Sequence, residues 1–361
     1  MAAIGQNTSP GLRLSVIVPF HKDLARLRPC LEAIRVAGSA LPSAAILAEV
    51  IVAADGALEN PEPVAQQSSA RVLSIAGPKG PAVARTRAAE QASGELLVFV
   101  DSDVVVRPDA LGRLAALFLS DSTIGAAFGA YDEEPPDKGF FSQCKNLAHS
   151  FIHQRSNRDA TTFWAGLGAV RAPVFAAVGG FDPRFAHPSV EDIDLGYRIR
   201  AAGFRIVLEP AIQGTHLKRW TFWSSIVTDI RDRGVPWTQL LNRYRSMRND
   251  LNVTHKYRLA VVMAYALVLA LLAAPWQPAL LLAAGALLAG LWMIDRPYYR
   301  FFANRRGLPF ALAWFPFHII HHLCNGLSFA LGTCLYAGRR WAGLELPWAL
   351  PVTPWSPREM R

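Results

Sequence analysis

The chain has 361 residues, a net charge of +9 and a pI near 9.7, with 52% hydrophobic and 18% charged residues. That is long enough for one large domain or two smaller ones, and apolar for a soluble enzyme. The excess Lys and Arg flanks apolar segments and forms no run of nucleic-acid type, so a membrane partner is expected and a nucleic-acid partner is not.

Met1–Gly11 is polar and small, and the apolar run after it ends at Pro19, so no signal peptide is expected. Leu14–Phe20 (LSVIVPF) reads as a buried strand and Arg26–Ala37 as a helix with Leu27, Leu31 and Ile34 on one side. Further strands are expected at Glu49–Ala53, Arg71–Ala76 and Leu96–Val100, with helices at Pro81–Ala92 and Pro108–Leu119. Such alternation implies an α/β fold: a mostly parallel sheet with helices on both faces. The fourth strand runs into Asp101-Ser102-Asp103, at the carboxyl end of a strand where open α/β sheets bind ligands. Hard carboxylate oxygens there suit magnesium or manganese, which in turn hold diphosphate oxygens.

Later, Glu191, Asp192 and Asp194 open a helical pattern, where acidic residues favour the macrodipole. A carboxylate there can also take a proton from an attacking hydroxyl. Thr221–Tyr244 spaces Phe222, Trp223, Ile226, Val227 and Ile230 as amphipathic helices do, either on a membrane surface or packed against the preceding domain. Phe140–Ile152 carries a similar stripe.

From Leu259 the chain changes. Leu259–Ala274 and Ala279–Ile294 are apolar throughout, joined by a Pro-Trp-Gln-Pro turn, and Phe310–Tyr336 is apolar but broken by Pro316, His318, His321, His322 and Asn325. Two or three transmembrane segments are expected, and Lys256, Arg258 and the arginines between 296 and 306 put the hairpin's ends and the preceding α/β domain in the cytoplasm. The expected organisation is a flexible start (1–12), an α/β domain (13–220), interface helices (221–257), a transmembrane region (258–338) and a tail (339–361). His318, His321 and His322 resemble one HxxHH box of membrane di-iron enzymes. A di-iron site needs several such boxes, so the cluster reads as a polar break. Cys30, Cys144, Cys324 and Cys334 lack the spacing of a zinc site or disulfide framework.

Four landmarks in order, LSVIVPF, VIVAADG, GPKGPAVARTRAAEQASGELLVFVDSDVVV, and GGFDPRF followed by EDIDLGYRIRAAGFRI, resemble family 2 glycosyltransferases of GT-A fold over about Leu14 to Leu241. The resemblance implies a metal-dependent, inverting transfer of a sugar from a UDP- or GDP-sugar to a hydroxyl acceptor, lipid or glycan, in the cell envelope. It implies that Pro19 and Phe20 meet the nucleotide, Asp55 the base, and Gly80 and Arg85 nucleotide or phosphate. Asp101 then faces ribose or metal beside Ser102, Asp103 and His216 hold the metal, and Trp164 and Gly166 line the sugar pocket. Lys218 and Arg219 neutralise phosphate, and Asp192 is the general base with Glu191 as helper. Arg219-Trp220 lacks the Gln of QxxRW, His216 standing there, which favours one or few additions. A polyprenyl-phosphate acceptor and a catalytically silent nucleotide-sugar-binding scaffold remain the alternatives.

Overall fold

The structure is a computed structural model, and it describes residues 11–245, 254–345 and 349–356. It divides into two compact units. The first comprises the chain up to Pro136, Arg158–Lys218 and the chain from Trp355; the second comprises Asp137–Asn157 and Arg219–Pro354. The expected flexible start falls mostly outside the described residues, as does 246–253 of the expected interface helices.

In the first unit the strands are β1 (Leu12–Phe20), β2 (Ala45–Asp55), β3 (Arg71–Ile75), β4 (Leu96–Val100), β5 (Val104–Val106), β6 (Ile124–Tyr131), β7 (Leu167–Arg171) and β8 (Arg205–His216). The helices are α1 (Leu24–Ser39), α2 (Glu62–Gln67), α3 (Pro81–Glu90), α4 (Ala110–Ser120), α6 (Ala172–Ala177) and α7 (Glu191–Ala201), α5 lying in the other unit. All eight strands form one sheet in the order β3-β2-β1-β4-β7-β6-β8-β5. The four strands read most directly from the sequence, β1 to β4, pair in parallel. Beyond them the sheet turns mixed, because β7 runs antiparallel between β4 and β6, and β5 runs antiparallel to β8. Val16, Val18, Val98, Val100, Leu111 and Leu114 are fully buried in the main core. Every residue of β4 and every residue of β1 from Leu14 to Val18 is buried, which explains why these runs read as strands with both faces covered.

Strand β6 escaped the sequence reading. Its run IGAAFGAY is buried along its whole length but is built largely from small residues. A Cβ at Gly129 would stand 2.1 Å from the Ile212 carbonyl oxygen of β8, so close strand approach, and not apolar bulk, dictates this segment.

The second unit holds α5 (Phe140–Arg155), α8 (Phe222–Val227), a π-helical turn (Thr228–Gly234), α9 (Val235–Tyr244), α10 (His255–Ala273), α11 (Leu280–Ile294), α12 (Arg296–Arg306) and α13 (Leu308–Ala342). The stripe seen in Phe140–Ile152 is buried against α12 and α13: Cys144, Leu147 and Phe151 pack with Tyr298, Phe302 and Trp314. Helix α9 buries Val235, Leu240 and Leu241 within this unit, while Trp223 on α8 is 72% exposed.

Among the described residues, α10 is long and apolar enough by itself to cross a membrane. Helices α11 and α12 qualify only if taken together as one span, and they bend by 68° at their junction. That falls short of the two or three separate spans expected. The 15 residues of α11 rise by roughly 22 Å against the ~30 Å of a bilayer core. Helix α13 is a single continuous element that runs through Pro316 and the polar residues interrupting its apolar run.

Candidate active site

The strand ends of the first unit gather the acidic residues. Strand β4 delivers Asp101, whose backbone N–H donates to the Gly166 carbonyl at 3.2 Å. The turn that follows reverses the chain into β5 and leaves Asp101, Ser102 and Asp103 half-buried. Strand β8 brings His216 opposite Val104. His216 Nε2 lies 3.4 Å from Asp103 Oδ2, and Arg26 Nη1 from the first turn of α1 lies 3.8 Å from it. Burial raises the Asp103 pKa, but the His216 hydrogen bond and the charges of His216, Lys218 and Arg26 outweigh it and hold the carboxyl below its ordinary range.

The His216 ring stacks on Tyr131 at 4.4 Å, and Tyr131 meets Trp164 edge-on at 4.7 Å. Trp164 is thereby a wall residue, its indole against Tyr131 and the core. Tyr131 was missed in the sequence because it ends a strand that gave no periodic signal. Arg26 was missed because a basic residue in an exposed first turn is unremarkable until its partner is known.

Arg85 joins the two acidic stretches. Its buried guanidinium places Nη2 2.6 Å from Asp101 Oδ1 and Nη1 2.9 Å from Glu191 Oε1, and it lies over the Phe181 ring at 5.5 Å. Burial lowers the Arg85 pKa, but Asp101, Glu191 and Asp192 reverse that and leave the cation more firmly charged. The arginine expected to meet nucleotide or phosphate thus has two of its nitrogens engaged by the protein's own carboxylates. Glu191 is further held by the Ser189 N–H, which donates to Oε2 at 2.9 Å.

Asp192 is placed differently. Its Oδ2 accepts from the Ala165 N–H at 3.1 Å and Oδ1 from the Ile193 N–H at 2.8 Å. Desolvation, and then the charge of Glu191, push its carboxyl up to about 7 despite the opposing pull of Ala165 and Arg85. Of the acidic pair, then, Glu191 is anchored by a cation and Asp192 is the carboxyl poised near neutrality. Ala165 and Gly166 connect the two centres: one donates to Asp192, the other accepts from Asp101.

The remaining expected residues occupy varied positions. Phe20 is buried in the core and Pro19 half-buried, in register with Ala54 and Ala53 of β2. Asp55 ends β2, and its carboxylate accepts from the N–H of Lys79 at 2.9 Å and of Gly80 at 2.7 Å. It therefore fastens the loop before α3, and any base contact must use its remaining lone pairs. Gly80 has φ +96°, and an added Cβ would lie 2.6 Å from the Ala186 carbonyl oxygen. The close approach at this position is to the protein's own backbone. Gly80→Ala is expected to cost about 1–3 kcal/mol, read as a fall in thermal stability, because it adds both strain and overlap. Arg171, next to the Trp164 loop, donates to the carbonyls of Ile124 and Phe118 at 2.8 Å each and so clamps α4 to β6. Lys218 closes the first unit; Arg219 belongs to the second, where it lies 3.5 Å from Asp137 and is largely exposed.

Asp103 Oδ2 and His216 Nε2 fit a divalent cation. Their 3.4 Å separation is close to the roughly 3 Å between neighbouring ligands on a six-coordinate ion with bonds near 2.1 Å. A carboxylate with one imidazole is also a chemically suitable donor set.

Known proteins resemble this chain in sequence and in fold. Residues 15–177 match the family Glycosyl transferase family 2. The succinoglycan biosynthesis protein ExoA of Rhizobium meliloti (strain 1021) is 27% identical over 208 residues, 53% of this chain and 59% of that protein. The chain thus spans under two thirds of the length of that curated relative. Among solved structures, the mannosyltransferase PcManGT from Pyrobaculum calidifontis, in complex with GDP-Man and Mn2+, superposes with a TM-score of 0.54 over 90% of each chain at 18% identity. The mixed eight-stranded sheet and the match over residues 15–177 identify a family 2 glycosyltransferase domain of GT-A fold in this part of the chain.

Proposed function

We propose that the chain is a membrane-associated, metal-dependent, inverting glycosyltransferase that moves a sugar from a nucleotide sugar to a hydroxyl group on a lipid or glycan. One observation carries the reading: a single buried guanidinium, Arg85, ties Asp101 of the DSD turn to Glu191 of the acidic helix start. The donor end and the acceptor end of a transfer reaction thereby share one site.

In this reading Asp103 and His216 hold magnesium or manganese, with Asp101 beside them. Bound there, the cation supplies charge stabilisation for the leaving nucleoside diphosphate. The nucleotide lies over the ends of β1 and β2, near Pro19 and Asp55. Trp164 and Gly166 border the sugar. Asp192 takes the proton of the acceptor hydroxyl as its oxygen attacks the anomeric carbon, so the configuration inverts in one displacement. Glu191 and Arg85 are positioning residues: they fix the floor on which Asp192 stands and do not themselves move a proton. Lys218 and Arg219 are the cations available to phosphate. The neighbour solved with GDP-Man and Mn2+ is consistent with a nucleotide-sugar donor and a divalent ion. A base poised near neutrality favours a hydroxyl acceptor over a polyprenyl phosphate, which is already ionised and needs none.

Membrane association rests on α10 and on the leucines of the second unit that face outward. Leu269 is 65%, Leu272 64% and Leu282 80% exposed, apolar surface that a lipid bilayer would cover. A cytoplasmic catalytic unit follows from the basic residues flanking α10 and α12.

The test is release of nucleoside diphosphate from a panel of nucleotide sugars by protein in lipid. Turnover is expected to require Mn2+ or Mg2+, to stop with excess chelator, and to fall by about a hundredfold or more in Asp103→Ala. Undiminished turnover in chelator would remove the metal from the mechanism, and no turnover of any donor would favour the silent scaffold.

A further inference from the structure

The second unit buries a carboxylate that the transfer reaction does not use. Asp295 sits at the 68° bend between α11 and α12 and has no exposed surface. A carboxylate enclosed among apolar helices costs several kcal/mol unless charge or donors compensate it. What surrounds it is a set of nitrogen ligands. His322 Nε2 is 3.1 Å from Oδ2, and His318 Nδ1 is 3.9 Å from the same oxygen. The two histidines are four apart on α13 and therefore share one face of that helix. One ligand atom from each of Asp295, His318 and His322 lies within 4.8 Å of the others, and all three residues are buried. The third histidine of the sequence cluster, His321, turns away to Asp229, with Nδ1 3.0 Å from Oδ2.

A second observation points to a missing partner. Asp295 Oδ1 and His322 Nδ1 are buried without a hydrogen-bond partner, in side chains 0% and 2% exposed. Lys256 Nζ approaches Oδ1 to 3.2 Å but outside hydrogen-bonding geometry, from a side chain that is 37% exposed and free to swing outward. The Tyr299 hydroxyl lies 2.7 Å from His318 Nδ1, and a metal ion bound at that nitrogen would take the place of this hydrogen bond.

We propose that Asp295, His318 and His322 bind a transition-metal ion, zinc by the chemistry of the set, in exchange for the ammonium of Lys256. Two imidazoles and one carboxylate are the protein ligands of a four-coordinate zinc site with one open position. Magnesium and calcium call for more oxygens than the cluster offers. The ion takes over the neutralisation of a carboxylate that Lys256 otherwise pairs at 3.2 Å, and it links α13 to the α11–α12 bend. The site is separate from the DSD turn, and the proposal does not depend on the transfer reaction.

The experiment uses the full chain in lipid nanodiscs carrying Asp103→Ala, which removes the DSD cation and leaves the cluster intact. Cobalt titration is read by its visible absorption, and zinc by elemental analysis after gel filtration. About one equivalent of each is expected, with the strong absorption of a tetrahedral cobalt site. His322→Ala should abolish that absorption. Lys256→Met keeps every ligand and removes the competing cation, so it should tighten cobalt binding by about tenfold. Absence of the cobalt band would overturn the proposal, as would binding unaffected by His322→Ala. Should His322→Ala not fold, Lys256→Met decides alone: tighter binding supports the site, and unchanged or weaker binding overturns it.

Discussion

Asp192→Asn is expected to lower kcat by about a hundred- to ten-thousand-fold, with donor binding little changed. The amide keeps the acceptor contact with the Ala165 N–H but cannot take a proton. The pH profile separates this role from a structural one. Because desolvation and Glu191 lift the wild-type carboxyl to about 7, the protonated, inactive form is the one favoured at low pH. Turnover should therefore rise about tenfold per pH unit on the acid side and level off once Asp192 is ionised. The midpoint should lie at or below about 7, since a cation bound at Asp103 pulls it downward. In Asp192→Asn that acid limb should vanish. A variant with undiminished turnover, or one keeping the same limb, would take the base role away from Asp192.

Arg85→Met is expected to destabilise the first unit by about 3–5 kcal/mol, because it leaves buried Glu191 and half-buried Asp101 without their shared cation. The loss should appear as a lower midpoint of thermal unfolding. Turnover should fall as well, since Asp101 and Glu191 lose the fork that fixes them. Arg85→Lys should recover only part of either property: an ammonium is a point charge and cannot span two carboxylates as a planar guanidinium does. If Arg85 instead served chiefly as a phosphate ligand, Arg85→Met would raise KM for the donor and leave the unfolding midpoint in place.

The parts legible in the sequence were those governed by local pattern. The run LLVFV ending in DSD announced a buried strand with an acidic turn at its carboxyl end, and the structure has β4 at Leu96–Val100. The helix after Val190 was equally readable from three acidic residues in its first turn. Roles that depend on a distant partner were not readable. Arg85 and Glu191 are 106 positions apart, so nothing local distinguished a phosphate-binding arginine from one that clamps two carboxylates. Asp55 and Gly80 were singled out as ligand-facing, and only the fold shows that Asp55 also fastens the Lys79–Gly80 backbone and that Gly80 makes room for Ala186. The histidines of α13 read as a polar break because Asp295, which lies among them, is 27 positions away from His322.

The sequence by itself determined where the chain would bury itself, where its strands would stop and which acidic residues stood at those stops. Hydrophobic period and chain-breaking residues act over a few positions, and the chain order records them directly. Only the tertiary structure decided which charges neutralise one another: Arg85 with Asp101 and Glu191, His216 with Asp103, Lys256 beside Asp295. A buried charge must find its counterpart wherever packing brings one within reach, and that proximity is created by the fold.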